Sequence, residues 1–196
     1  MPMVDPILHV LAGRSPLLLP PDPTRRQAAV LLPLFKNASD YHLVLTKRTD
    51  TLTHHRGQIA FPGGSRDPSD ADLLTTALRE SFEEVGIRPQ DVRVLGRLDD
   101  LVTYSTPFTI SPFVGLIPAF YPFRPNPMEV ATVFDVPLSL LSDPAVFRRH
   151  IRTREDGATV VDYEYHVGDH VVWGMTGRLI HHFLQVIEKT GPQLEG

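Results

Sequence analysis

The chain has 196 residues, of which 42% are hydrophobic and 21% charged, with a formal net charge of −4 and a pI near 6.1. These values suit one globular domain with its own core, and they argue weakly against a duplex-DNA binder, which is normally basic. Cysteine is absent, which excludes a disulfide framework, a zinc–thiolate site and a cysteine nucleophile.

The start of the chain, MPMVDPILHVLAGRSP, has no basic stretch and carries Asp5. It makes a poor secretory signal, so the cytoplasm is the expected compartment. Residues 4–13 are expected to form a short helix ending at Gly13. Residues 28–35, AAVLLPLF, are too short to span a bilayer, and no membrane partner is expected. Residues 27–35 and 42–48 read as buried strands joined by a turn around 36–40. Residues 50–57 read as loop. Residues 58–61, QIAF, read as a short strand stopped by Pro62-Gly63-Gly64.

Residues 72–85 are the clearest helix. Asp70 or Asp72 can cap its N-terminus and Gly86 can sit just past its C-terminus. Leu74, Leu78, Phe82 and Val85 recur at helical spacing and are expected to form one apolar face. Strands are expected at 92–99, 110–120 and 129–136, the last followed by a helical turn at 137–141. Residues 146–154 and 159–167 read as a hairpin around Asp156-Gly157. A last helix runs from about Trp173 to Lys189, with Leu179, Ile180, Phe183, Leu184 and Ile187 inward. Strands interleaved with two substantial helices predict a layered α/β domain.

The helix at 72–85 carries Glu80, Glu83 and Glu84. At 100 degrees per residue, Glu83 and Glu84 flank the direction of Glu80, so the three carboxylates project together. Like charges at this spacing repel by roughly 0.2–0.5 kcal/mol a pair, and the C-terminal half of a helix prefers cations. Arg79 alone cannot balance three glutamates. A divalent cation with oxygen ligands would. The small residues Gly63 and Gly64, just upstream, allow a backbone or a phosphate to approach closely.

The stretch GGSRDPSDADLLTTALRESFEEVGI resembles the Nudix box, a loop–helix motif of hydrolases that cut nucleoside diphosphates linked to another group. Arg79, Glu80, Glu83, Glu84, Gly86 and Ile87 match its core. Asp70 replaces the usual front-end glutamate, with one residue more than usual before Arg79. The coenzyme A pyrophosphatase branch is similar in both respects. Its upstream signature is matched in register by Leu45, Thr46, Arg48, Gly57 and Phe61 to Gly64. Val44 and Thr49 depart mildly, and Thr53 stands where that branch has arginine. Residues 125–141 and 171–180 also resemble it.

The resemblance implies a Nudix fold of the α/β (α+β) class, with a mixed β-sheet sandwiched between α-helices. One domain spans 1–196, with the box at about 63–87 and an N-terminal extension at 1–24. The resemblance also implies Mg²⁺ or Mn²⁺ held by Glu80, Glu83 and Glu84, with Arg79 orienting them. Glu80, Glu83 and Glu129 are the candidates for general base. Arg48, Arg56, Lys47 and His55 are positioned to grip substrate phosphate, with Gln58, Gly63 and Gly64 beside them. The implied substrate is coenzyme A, acyl-CoA or a related small nucleotide, and the protein a monomer or homodimer with no nucleic-acid partner. Tyr104 and Trp173 could stack on adenine or simply pack at a rim. A nucleotide-sensing domain without turnover is the rival class, but such domains usually lose the helix glutamates, and all three are present.

Overall fold

A computed structural model describes residues 6–38, 40–50, 57–104, 106–153 and 157–188. Its elements in chain order are α1 (Pro6–Ala12), β1 (Arg26–Asn37), β2 (Asp40–Arg48), β3 (Ile59–Ala60), β4 (Gly63–Ser65), α2 (Leu73–Val85), β5 (Arg93–Arg97), β6 (Leu101–Val102) and β7 (Phe108–Leu116). There follow β8 (Val130–Pro137), α3 (Leu138–Leu141), β9 (Phe147–Thr153), β10 (Thr159–Val167), β11 (His170–Val172) and α4 (Gly174–Glu188).

The apolar runs of β1 and β2 form strands covered on both faces, as near-continuous hydrophobic strands require. In β1, Ala29, Leu31 and Phe35 join the core under α2, while Leu32 and Leu34 join the core on the opposite face. That second core also takes Ile7 and Leu11 from α1, and Leu179, Ile180, Phe183 and Leu184 from α4. A mixed sheet therefore lies between helices, as expected. β1 runs parallel to β7 from Arg26↔Phe108 to Leu34↔Leu116, and the other pairings are antiparallel. Residues β9–β10–β11 make a separate small sheet.

One irregularity positions the functional site. β1 and β2 pair only from Leu34↔Leu43 to Asn37↔Asp40. Beyond that point they diverge. β3 pairs with Thr46 and Lys47 of β2, while β4 pairs with Ala28 to Val30 of β1. The Pro62-Gly63 turn crosses the split between them, and Pro62 O accepts from Leu31 N–H at 2.9 Å.

Several expectations need correction. The short strand expected at 58–61 is β3, which ends at Ala60 before the Pro62-Gly63-Gly64 stop, but Gly63 and Gly64 themselves begin a further strand, β4. The missing side chain of Gly63 lets this strand lie against Ala29 and Val30 of β1, and that of Gly64 leaves room for the Glu80 carboxylate of α2. Of the expected apolar face of α2, Leu74, Leu78 and Val85 pack on the core, but Phe82 does not. Phe82 is 52% exposed, while Thr76, Ala77, Ser81, Glu84 and Val85 are buried. Small residues at 77 and 81 allow close packing of α2 on β1 and β4, which larger side chains would prevent. The carboxylates are thus not all opposite the docked face, because Glu84 lies within it. The strand expected at 110–120 stops at Leu116, and β6 and β11 were not anticipated. The tip of the expected hairpin at 154–156 lies outside the described residues, as does His55.

Candidate active site

α2 is anchored at both ends. Asp72 Oδ1 accepts from Thr75 N–H at 2.7 Å, so Asp72 rather than Asp70 is the cap. Gly86 adopts φ 75° and donates to Phe82 O at 2.9 Å, and Ile87 N–H reaches Ser81 O at 3.2 Å. This paired closure satisfies carbonyls that the helix leaves open. The 121–129 loop satisfies two more, with Arg124 N–H on Val85 O at 2.9 Å and Asn126 N–H on Glu84 O at 2.8 Å. The loop then delivers Glu129, whose carbonyl accepts from Thr49 N–H at 3.0 Å.

Asp70 is free of the capping role and binds Arg79 instead. Arg79 Nε and Nη2 each reach one Asp70 oxygen at 2.9 Å, a two-pronged guanidinium–carboxylate pair. Thr76 Oγ1 and Asp67 N–H also donate to Asp70. The hydrogen bonds from Arg79, supported by the other two, hold the buried Asp70 carboxyl well below its ordinary pKa. The remaining arm of Arg79, Nη1, lies 2.9 Å from Glu80 Oε1 and 3.2 Å from Glu83 Oε2. Asp70 therefore fixes the guanidinium that aims two of the three glutamates.

The glutamates occupy graded environments. Glu83 is exposed, Glu80 is largely covered, and Glu84 is buried with its side chain 4% exposed. Gly63 N–H donates to Glu84 Oε2 at 3.1 Å, and Arg48 Nη1 lies 3.5 Å from Glu84 Oε1. Burial outweighs both contacts and pushes the Glu84 carboxyl up to about 7, with the charges of Glu129 and Glu80 adding to the rise. Burial also raises Glu80, and Glu83 and Glu129 add repulsion there. The Glu129 charge thus acts on both helix carboxylates, although it comes from the loop before β8.

Among the described residues, no three such groups stand gathered as a ready-made metal cage. The donor chemistry nevertheless fits a hard divalent cation. The carboxylates are like-charged, partly desolvated and mutually repulsive, and oxygen donors suit Mg²⁺ or Mn²⁺. The space they share depends on glycine. A Cβ on Gly64 would fall 2.5 Å from the Glu80 carboxylate, and one on Gly63 would fall 2.4 Å from Ala29 O. At Gly64 the obstructing group is the end of a flexible side chain. Gly64→Ala should therefore fold, with a melting temperature near that of the wild type, yet displace Glu80 and cut turnover by about tenfold or more. Unchanged kcat would show that the position of Glu80 is immaterial.

The other anticipated residues divide. Gln58 accepts from Arg48 N–H through its backbone carbonyl at 2.9 Å, which keeps it beside β2. Arg56 lies outside the described residues. Tyr104 is 46% exposed and packs under the Arg178 guanidinium at 4.6 Å, while Trp173 is 55% exposed. His182 approaches Asp99 at 3.2 Å and His181 stacks on Tyr163, so neither joins the glutamates. Asn126, which donates to the Glu129 carboxylate at 3.2 Å, was not foreseen. Nothing in the local pattern PNPME marks it.

Oxygen donors of graded burial beside a glycine turn suit the hydrolysis of charged phosphate anhydrides with a divalent ion. Residues 24–128 match the NUDIX domain. The chain is 42% identical over 187 residues to an uncharacterized Nudix hydrolase NudL of Photorhabdus laumondii, covering 92% of this chain and 98% of that one. It is 40% identical over 165 residues to a Yersinia pestis protein of the same description, covering 84% and 81%. A MutT/nudix family protein from Enterococcus faecalis shares the fold, with a TM-score of 0.57 and 16% identity over 87% of this chain and 65% of that one. The chain belongs to the Nudix hydrolase family. It is a hydrolase of pyrophosphate-containing substrates, from a family that binds small nucleotide derivatives and generally uses divalent metal ions. No helix among the described residues is long and apolar enough to cross a membrane.

Proposed function

We propose that this enzyme cleaves the pyrophosphate bond of coenzyme A and acyl-CoA, releasing 3′-phospho-AMP and (acyl-)4′-phosphopantetheine. The observation that carries this reading is the approach of Arg48, from the upstream signature, to Glu84 on the metal helix. Arg48 Nε is buried and has no hydrogen-bond partner among the described residues. A buried donor of this kind is costly unless a ligand oxygen meets it.

Glu80 and Glu84 are assigned as direct metal ligands, with Glu83 holding a second ion or positioning water. Bound Mg²⁺ or Mn²⁺ would neutralise phosphoryl charge and lower the pKa of attacking water. Arg79 keeps Glu80 and Glu83 aimed at the site. Gly63 and Gly64 let the pyrophosphate approach the backbone, and Arg48 and Gln58 hold it, with Arg56 assigned to the same task. Glu80, Glu83 or Glu129 takes the proton from water. The water oxygen bonds to one phosphorus, the bridging P–O bond breaks, and two phosphomonoesters leave. We read the chain as one domain, acting as a monomer or homodimer in the cytoplasm.

A substrate screen with Mg²⁺ and with Mn²⁺ tests this reading. CoA or acyl-CoA should exceed ADP-ribose and diadenosine polyphosphates in kcat/KM by about tenfold or more, the scale of one extra charge-assisted contact. A preference for ADP-ribose or a dinucleoside polyphosphate would overturn it.

A further inference from the structure

The guanidinium assigned to the pyrophosphate, Arg48, is turned toward Glu84, which leaves open how a further phosphate on the substrate is held. A groove of about 750 Å³ runs past the start of β1 and the end of β4. Arg25, Arg26, Gln27 and Arg66 line it, with Asp22 and Asp67. The volume lies within the range of small-molecule sites, and the lining is net positive in a chain of net charge −4.

The groove adjoins the glutamates through β4. Arg66 N–H donates to Gln27 O at 2.9 Å, so pairing with β1 continues one residue past Ser65. Two residues along a strand cover about 7 Å and return to the same face. Arg66 therefore follows Gly64 on the side where Glu80 lies. Arg66 Nη1 reaches Gln27 Oε1 at 3.0 Å and Nη2 reaches Asp70 O at 3.4 Å. These contacts link the groove to the Asp70–Arg79 pair. Arg26 lies over the Phe108 ring at 5.2 Å and makes no side-chain hydrogen bond to a described residue. Arg25 is tied to Thr103 O and Phe108 O and supplies fixed charge. The two acids are engaged in their own turns. Asp22 accepts from Thr24 N–H and Oγ1 and also lies 3.7 Å from Arg25 Nε, which offsets part of the Arg25 charge, while Asp67 accepts from Ser69 N–H and Oγ.

We propose that this arginine groove is the subsite for a second phosphoryl group of the substrate, a phosphomonoester outside the anhydride that is cut. Arg26 and Arg66 supply the contacts. The identity of that group rests on the coenzyme A reading, in which it is the ribose 3′-phosphate. Coenzyme A then lies with its anhydride over Gly63 and Gly64 and its 3′-phosphate toward Arg66.

Two measurements decide the matter, on the wild type, Arg26→Gln, Arg66→Gln and the double variant. The first is kcat/KM for CoA against 3′-dephospho-CoA. The ratio should fall about tenfold to a hundredfold in the double variant, as expected for loss of charge-assisted phosphate contacts. An unchanged ratio overturns the subsite, even when the enzyme prefers CoA. The second is calorimetric binding of adenosine 3′,5′-bisphosphate and of AMP without metal, which does not depend on turnover. The wild type should favour the bisphosphate, and the double variant should not. If the wild type leaves CoA uncut, the function reading falls, and this binding arm still judges the groove. Equal bisphosphate affinity in wild type and double variant overturns it. Should Arg66→Gln fail to fold, through its contacts to Gln27 and Asp70, Arg26→Gln decides alone, because its side chain holds no hydrogen bond to a described residue.

Discussion

Glu84→Gln should abolish turnover and, at the same time, make the metal-free protein harder to melt above neutral pH. The two effects have one cause. The Glu84 carboxylate is buried on the docked face of α2, with only Gly63 N–H and the more distant Arg48 among the described residues to compensate. Its pKa is raised from an ordinary 4.5 to about 7. A carboxyl raised in the folded state favours folding while protonated, so its contribution is fully present below 4.5 and is lost as pH rises through about 7. At pH 8 the ionised group costs up to roughly 3 kcal/mol. An amide removes that penalty and can still accept from Gly63. The metal-free variant should therefore melt several degrees higher at pH 8, since 1 kcal/mol is worth about 2–4 °C in a chain of this size. The advantage should vanish near pH 5. Turnover, which needs the charge, should fall by about 10²–10³-fold or more, as when a preorganised charge-stabilising group is removed. Glu80→Gln should lose turnover comparably with a smaller gain in stability, because Glu80 is less buried. Calorimetric melts at two pH values, beside steady-state rates, check both. Near-normal rates in both variants would remove these glutamates from the metal site.

Asp70→Asn should show the opposite pairing, with loss of stability and of activity together. Asp70 is buried and grips Arg79 through both oxygens. An amide keeps the shape but loses the charge and one acceptor, leaving part of a covered guanidinium unpaired. The expected cost is about 2–3 kcal/mol, the scale of hydrogen bonds to a charged group. The depressed pKa of Asp70 gives the sign of the pH dependence. A carboxyl lowered by folding contributes stability above its ordinary value of 3.8 and loses it as pH falls through its folded value. The gap between wild type and Asp70→Asn should therefore narrow in strong acid. Activity should fall because Arg79 no longer holds its Nη1 arm on Glu80 and Glu83. If melting drops while kcat is untouched, Arg79 supports the fold without aiming the glutamates.

Much of this arrangement is legible in the chain. The capped helix at 72–85, the buried runs at 27–35 and 42–48, and the last helix all follow from period, caps and glycine placement. Each is specified within its own segment. Misreadings arose where a distant partner decided. Phe82 fits the apolar period of α2, yet it faces out, while Leu74, Leu78 and Val85 of the same period pack on the strands beneath. Asp70 and Asp72 are equivalent as caps by local pattern. Arg79, folded back over the loop, takes one and leaves the other.

Residue types and their spacing on one helix are properties of the chain itself, and they were sufficient to draw attention to Glu80, Glu83 and Glu84 and to indicate the family, but not to show that Glu84 lies on the docked face. Burial and charge depend on what the fold brings alongside. Only the tertiary structure separates the buried Glu84 from the exposed Glu83, brings Arg48 to Glu84, and puts Arg26 and Arg66 in the lining of one groove. The physical reason is that desolvation and Coulomb interactions act through space, between strands and loops far apart in the chain, whereas helix period and capping act over a few residues.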